Sequence, residues 1–280
     1  MKIKRILVTG GAGFIGFSLC KKLLKEKKYK VFSVDNLNNY YSVKIKKDRI
    51  NLLQKNYKNF YFSKIDIANF NKLNNYVKNN KIEKIVHLAA QAGVRYSYTK
   101  PEVYFRSNML GFFNVLETSR LNNVSEVIAA SSSSVYGEQS KFPIKESYEN
   151  SKPIQFYAAT KKSNEVMAYS YYKMFKMNFV FMRFFTVYGP WGRPDMALFK
   201  FTKNIIQNKK IDVYNNGKHV RDFTYIDDIV SGIHKLISKK NKGYRIFNIG
   251  NNKKVKLMDM IKFLEKFLNK KAKINFLPMQ

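Results

Sequence analysis

Gly10, Gly13 and Gly16 fall three residues apart between a short apolar run and an apolar helical stretch. This spacing constrains the fold more than any other feature of the chain. Residues 4–9 are apolar and partly β-branched and read as a buried strand, and residues 14–27 carry helical spacing. A chain that turns from strand to helix within so few residues needs positions without a Cβ. The same glycines let the backbone approach a ligand closely. The helix that follows offers unpaired N–H groups and the positive end of its dipole, which suits a pyrophosphate. A carboxylate belongs about 20 residues further on, at the end of the next strand, to accept hydrogen bonds from a ribose. Asp35 ends the second strand candidate at 31–35, and Asn36 and Leu37 follow it without an arginine. Strand, loop, helix, strand and acid all fall in order, so the segment predicts a dinucleotide site that prefers NAD to NADP.

The alternation continues. Residues 84–89, 126–130 and 179–185 are further strand candidates, and 108–120 has helical apolar spacing at Leu110, Phe113 and Leu116. Strands alternating with helices predict an α/β fold built on a doubly wound parallel sheet, the Rossmann architecture, with right-handed crossovers. After Gly189 the texture changes. Residues 189–194 form a turn-rich loop, then come a helix at 198–207, a short strand at 211–214 and an amphipathic helix marked by Leu257, Ile261, Leu264 and Leu268. We expect an NAD-binding domain from residues 1–187 with a returning segment at 219–240. A smaller C-terminal substrate domain would come from 188–218 and 241–280. The chain stops two residues after Pro278 with no evident terminal element, which reads as a truncation.

Composition narrows the class. Hydrophobic residues make up 45% of the 280, enough for a large core, and the single cysteine, Cys20, excludes an internal disulfide. His219 and His234 stand alone, and the adjacent Asp227 and Asp228 diverge, so no metal is expected. No apolar run approaches the roughly 20 residues that span a bilayer. The N-terminal apolar stretch runs into the glycine loop instead of a cleavage site, so a cytoplasmic protein without a membrane partner is expected. The formal net charge is +33, from 52 basic and 19 acidic residues. Lysines are spread over nearly every segment without an arginine-rich tract, and asparagine and isoleucine are abundant, as an AT-rich genome imposes. We therefore expect no specific nucleic-acid partner, although the charge would steer acidic small molecules to clefts.

The chemistry is expected at Tyr157 and Lys161. Residues four apart share one helix face, and an ammonium beside a phenol favours the phenolate, making the tyrosine a usable base. The spacing alone is cheap in this chain, since it also starts at Tyr40, Tyr96, Tyr148, Tyr169, Tyr172 and Tyr214. Only Tyr157 is preceded by a strand tipped with serines, residues 131–134. The carboxyl ends of strands in an open parallel sheet face the ligand crevice, so a hydroxyl there can bond both a substrate oxygen and the phenol. His87 lies inside an apolar strand and reads as a hydrogen-bonded core histidine.

These marks resemble the extended short-chain dehydrogenase/reductases over essentially the whole chain. They comprise the glycine loop from Thr9 to Gly16, His87 with Leu88, Ala89 and Ala90, Asn108, the serine tract running into Val135, Tyr136 and Gly137, the Tyr157 and Lys161 pair, and residues 221–228. Residues 91–97 and 183–198 are most similar to the UDP-glucuronate 4-epimerases. The resemblance implies tightly held NAD and a UDP-sugar substrate epimerised at carbon 4 through a keto intermediate. Tyr157 would be the acid and base. Lys161 would lower the phenol's pKa and hold the nicotinamide ribose, with Ser132 as the catalytic hydroxyl and Ser133 as a second one. Gly10, Gly13, Phe14, Ile15, Gly16, Asp35, Leu88, Ala89, Ala90, Asn108 and Phe184 would line the cofactor, with Asp66 and Ile67 at the adenine.

Glucuronate differs from glucose by a carboxylate, which a planar arginine fork recognises better than a lysine. Arg193 matches the position near the sugar carboxylate, with Thr186 close by. Arg95 and Arg221 are candidates for the diphosphate or the carboxylate. Related dehydratases carry Asp-Glu where this chain has Ser133 and Ser134, so dehydration is disfavoured. A UDP-glucuronate decarboxylase and a UDP-galactose 4-epimerase stay open as alternatives, and so does, in a different class, a catalytically weak polyanion-binding protein of the same fold. Oligomeric state also stays open. The family often forms homodimers through a helix pair, and 167–175 is apolar enough to serve.

Overall fold

The alternation read from the sequence closes into one seven-stranded, all-parallel sheet. The structure, a computed structural model, describes residues 3–138 and 142–279, so Met1, Lys2 and Gln280, where the readings of the chain ends fall, lie outside it. The strands are β1 (Lys4–Thr9), β2 (Tyr29–Asp35), β3 (Phe60–Lys64), β4 (Lys84–His87), β5 (Glu126–Ser132), β6 (Phe179–Phe184) and β7 (Tyr244–Ile249). Their order across the sheet is β7-β6-β5-β4-β1-β2-β3. The winding direction reverses between β1 and β4, so the loops leaving those two strands open a crevice at the carboxyl edge.

Strand alternation loads both faces. Ile6 and Val8 of β1 enter a core with Phe17, Leu19 and Leu23 of α1 (Phe14–Leu24). Leu7 enters the opposite core with Leu73 and Val77 of α3 (Phe70–Asn79) and Phe112 and Val115 of α4 (Gly111–Leu121). Between α1 and α3, α2 (Val43–Asn56) covers the first face with a stripe holding Arg49, Ile50 and Leu53. On the second face α4 is joined by α5 (Phe156–Phe175), which carries Tyr157 and Lys161. A third core holds Phe201 and Ile205 of α6 (Ala197–Ile206) and Ile261 and Leu264 of α8 (Leu257–Leu268). The parallel pair Lys210–Val213 and Lys273–Phe276 adds Ile211 and Val213 to that core. Between these parts, α7 (Ile226–Ser238) returns to the first face and buries Ile229 and Ile233 there.

Several local expectations are corrected. Residues 241–280 were assigned to the smaller unit, yet β7 pairs in parallel with β6 and closes the edge of the large sheet. Strand β4 ends at His87, because Leu88 and Ala89 leave the sheet for the crevice wall. Strand β5 runs past Ala130 to Ser132, so two of the serines belong to the strand itself. The helix expected at 108–120 begins earlier, as a turn at Pro101–Tyr104 and a π-helical stretch at Phe105–Leu110 that runs into α4.

Candidate active site

The glycine loop is built for close approach. Gly10 has φ of +74°, and a Cβ there would stand 2.7 Å from the Ala89 nitrogen. At Gly16 a Cβ would overlap the Gly10 carbonyl oxygen. Helix α1 starts after Gly13 with no side-chain cap, leaving its first N–H groups free for an anion. Asp35, at the end of β2, accepts from the Ala12 amide at 3.2 Å and the Leu37 amide at 2.8 Å. Burial raises the Asp35 carboxyl above its ordinary range, against the Leu37 bond and the Lys46 charge. Lys46 itself donates to the Asn38 carbonyl at 2.7 Å and to its side-chain oxygen at 2.8 Å. An uncapped helix start, a loop that admits no Cβ and a carboxylate at the strand end fit a dinucleotide.

One crevice gathers this loop and the residues expected to carry the chemistry. Its wall includes Gly10, Gly13, Phe14, Ile15, Gly16 and Asp35 from the first βαβ unit, and Asp66, Ile67, Leu88, Ala89 and Ala90 from the next strand ends. Ser132, Tyr157, Lys161, Phe184 and Arg193 line the same space. Burial pushes the Tyr157 phenol above its ordinary value, while the Ser132 hydroxyl and the Arg193 charge pull it down. Lys161 is buried and its pKa falls to about 8, through desolvation opposed by the Glu165 charge. Its ammonium donates to the Ala130 carbonyl at 2.9 Å. The ammonium is thus turned to the end of β5, and burial is the largest influence on the phenol. The Ser132 hydroxyl accepts from the Ser134 amide and donates to the Ser134 hydroxyl, both at 3.1 Å.

Other expected residues stand behind or beside this wall. Asn108 does not line the crevice. It is fully buried in the π-helical stretch. Its side-chain oxygen accepts from the Gln91 amide at 2.8 Å. Its amide group donates to the Gln91 carbonyl at 3.1 Å and to the Thr160 hydroxyl at 3.0 Å. It thus ties the crevice loop to the helix carrying Tyr157, a use of a π segment common at functional sites. Ser133 opens a 3-10 turn (Ser133–Tyr136), off the wall. Thr186 is also off it, while its neighbours Phe185 and Val187 face the crevice. Arg95 stacks its guanidinium 4.2 Å from the Tyr214 ring centre. After burial, the charges of Arg221 and Arg95 lower the His219 pKa, so both arginines act on that side chain. His87 is buried against Phe112 with its Nδ1 2.9 Å from the Thr9 hydroxyl, and burial holds it neutral with a pKa of about 3.

Sequence reading missed the groups that hold Arg193. Its guanidinium grips Asp195 in bidentate fashion, Nε to Oδ1 at 3.0 Å and Nη2 to Oδ2 at 2.5 Å. Tyr40, on the crevice wall, donates to the same Oδ2 at 3.3 Å. The fully buried Arg49 donates to the Ala12 carbonyl at 2.8 Å, the Tyr41 hydroxyl at 2.9 Å and the Trp191 carbonyl at 2.5 Å. It joins the glycine loop to the loop bearing Arg193. The signal was one of period only: Arg49 shares a helix face with Lys46 and Leu53, in a helix whose lysines hide it.

Comparison with known proteins gives the family and the fold. The NAD dependent epimerase/dehydratase family matches residues 6–250. An uncharacterised protein of Methanocaldococcus jannaschii is 52% identical over 100% of this chain and 86% of its own length. A UDP-glucuronate 4-epimerase of Thermodesulfobacterium geofontis is 44% identical over 97% of this chain and 83% of its own. Among solved structures, the UDP-glucuronic acid 4-epimerase of Bacillus cereus in complex with UDP-glucuronic acid and NAD is similar with a TM-score of 0.93. It shares 36% identity, covering 98% of this chain and 86% of that one.

Proposed function

The chain belongs to the NAD dependent epimerase/dehydratase family, and from that premise we propose that it is an isomerase that interconverts UDP-glucuronate and UDP-galacturonate at carbon 4 of the sugar. The observation that carries the reading is Arg193. It shares one crevice with Tyr157, Lys161 and Ser132, and its charge acts on the Tyr157 phenol. A neutral sugar offers an arginine at that place only hydroxyl acceptors, whereas a uronate offers a carboxylate matched to the fork.

Bound NAD supplies the hydride acceptor and donor at carbon 4. The residues of the chain do the rest. Tyr157 takes the proton from the carbon-4 hydroxyl and later returns one, with the Ser132 hydroxyl bridging phenol and sugar oxygen. Lys161 offers a cation beside the phenol that favours the phenolate once its ammonium shares its bonds with the ligand. The 4-keto intermediate is a β-keto acid, and an arginine that keeps the carboxylate paired restrains loss of carbon dioxide. Asp35 and the glycine loop hold the dinucleotide, Asp66 and Ile67 border its adenine, and Asn108 steadies the wall. Arg95 and Arg221 take the diphosphate end, and residues 188–218, which bring Arg193 and Met196 to the crevice wall, belong to the smaller substrate unit.

The protein acts as a homodimer in this reading. Leu110, Phe113 and Leu121 on one helix, with Val166, Tyr169 and Phe175 on α5, expose large apolar side chains on the second face of the sheet. Arg193→Ala tests the sugar assignment. Half-saturation by UDP-glucuronate should rise about tenfold to a hundredfold, the cost of a lost charged hydrogen-bond pair, with bound NAD retained. An unchanged half-saturation would remove Arg193 from the sugar site.

A further inference from the structure

Asp195 shows what the fork of Arg193 is held by. A guanidinium carries five N–H donors arranged along its edges. Asp195 occupies the edge formed by Nε and Nη2. The edge between Nη1 and Nη2 is then the one left for a second carboxylate in bidentate geometry. Burial alone would raise the Asp195 carboxyl, but the hydrogen bonds and charge of Arg193 outweigh it and hold it ionised.

The pair is buttressed. The Tyr40 hydroxyl donates to Asp195 at 3.3 Å, and its ring centre stands 5.9 Å from the Arg193 guanidinium. Tyr40 packs on Tyr96 at 4.9 Å, Tyr96 on Tyr104 at 6.2 Å, and Tyr104 edge-on to Tyr157 at 6.1 Å. An unbroken aromatic wall therefore runs from Asp195 to the phenol that carries the proton. Gly93, with φ of +102°, makes room for it, since a Cβ there would overlap the Tyr40 hydroxyl. Arg193 and Tyr40 line the crevice whereas Asp195 does not, so Asp195 works through Arg193.

We propose that Asp195, backed by Tyr40, is a positioning residue that fixes which edge of Arg193 meets the ligand, and thereby sets the preference for an acidic over a neutral sugar. This rests on the reading of Arg193 as the ligand of the sugar carboxylate. Without Asp195 the guanidinium can rotate about its stem and present no fixed edge. The attraction of its charge survives, and the bidentate geometry that separates a carboxylate from a hydroxymethyl is lost.

The test is calorimetric affinity of the NAD-loaded protein for UDP-glucuronate and for UDP-glucose, in the wild type, Asp195→Ala, Asp195→Asn and Tyr40→Phe. Asp195→Ala should weaken UDP-glucuronate by about tenfold or more while leaving UDP-glucose nearly unmoved, so that the ratio between them collapses. Tyr40→Phe should move the ratio the same way by a smaller factor. Asp195→Asn, which keeps one acceptor oxygen, should restore part of it. Equal weakening of both sugars marks an ordinary loop-stabilising ion pair and overturns the proposal, as does an unchanged ratio. If Asp195→Ala does not fold, the two conservative variants decide. Turnover on the same wild-type samples separates the two claims. A wild type that prefers UDP-glucuronate without epimerising it sinks the epimerase reading and leaves the affinity ratio to judge Asp195, and one that epimerises UDP-glucuronate without preferring it keeps the epimerase reading and overturns the proposal for Asp195.

Discussion

Lys161 gives its ammonium to the Ala130 carbonyl and so ties α5 to the end of β5. Burying that charge has a cost that pH reveals. Its pKa falls from 10.5 to about 8 in the fold. Below about pH 8 folded and unfolded chains both carry the proton, and the cost is fully present. Between there and 10.5 the unfolded chain binds more protons, so stability rises with pH. Lys161→Met, which carries no such charge, should be more stable than the wild type at neutral pH by up to ~3 kcal/mol, with the gap narrowing towards about pH 10. Urea unfolding of both proteins at the two pH values checks this, and a gap that stays constant would contradict it. At this scale the sequence singled out Tyr157 among its many look-alikes through the serine-tipped strand before it, and Tyr157 and Ser132 do share one crevice wall. It did not tell that Asp195 and Tyr40 hold Arg193, because a charge two residues along a loop looks like any surface pair until the loop folds back on the crevice.

At the scale of elements, the legible parts were those whose apolar period is not diluted. The strand-loop-helix start and the strands at β5 and β6 read directly from their apolar runs. The segment between β2 and β4 did not, because lysine and asparagine fill the exposed faces of α2 and α3 and leave narrow buried stripes. Strand β7 was missed as a member of the sheet because pairing partners far apart in sequence leave no local trace. Within α2, Arg49 links two loops that sequence reading treated separately, the glycine loop and the loop of Arg193. Arg49→Ala leaves the Ala12 and Trp191 carbonyls without their buried donor. It should lower the unfolding free energy by ~3 kcal/mol and weaken both NAD and UDP-glucuronate. Parallel measurement of NAD retention and sugar affinity checks the link, and loss of one without the other would break it.

On the scale of the whole molecule, the +33 charge has no single stripe to account for it in sequence, and the crevice wall carries Lys46, Lys161 and Arg193 alongside the carboxylates of Asp35 and Asp66. Among the described residues no helix is long and apolar enough to cross a membrane. The apolar side chains left bare on Phe113 and Val166 belong to the proposed pairing of two chains. Light scattering should give a dimer for the wild type and a monomer for Phe113→Glu combined with Val166→Glu, and a monomeric wild type would refute that surface. The central claim is that one carbon of a sugar acid is oxidised and reduced again inside this crevice. UDP-glucuronate carrying deuterium at carbon 4 tests it most directly, with products followed by NMR. The account predicts UDP-galacturonate that keeps its deuterium at carbon 4, with no net reduction of NAD. Loss of the label to solvent, a pentose with released carbon dioxide, or no product at all would contradict it.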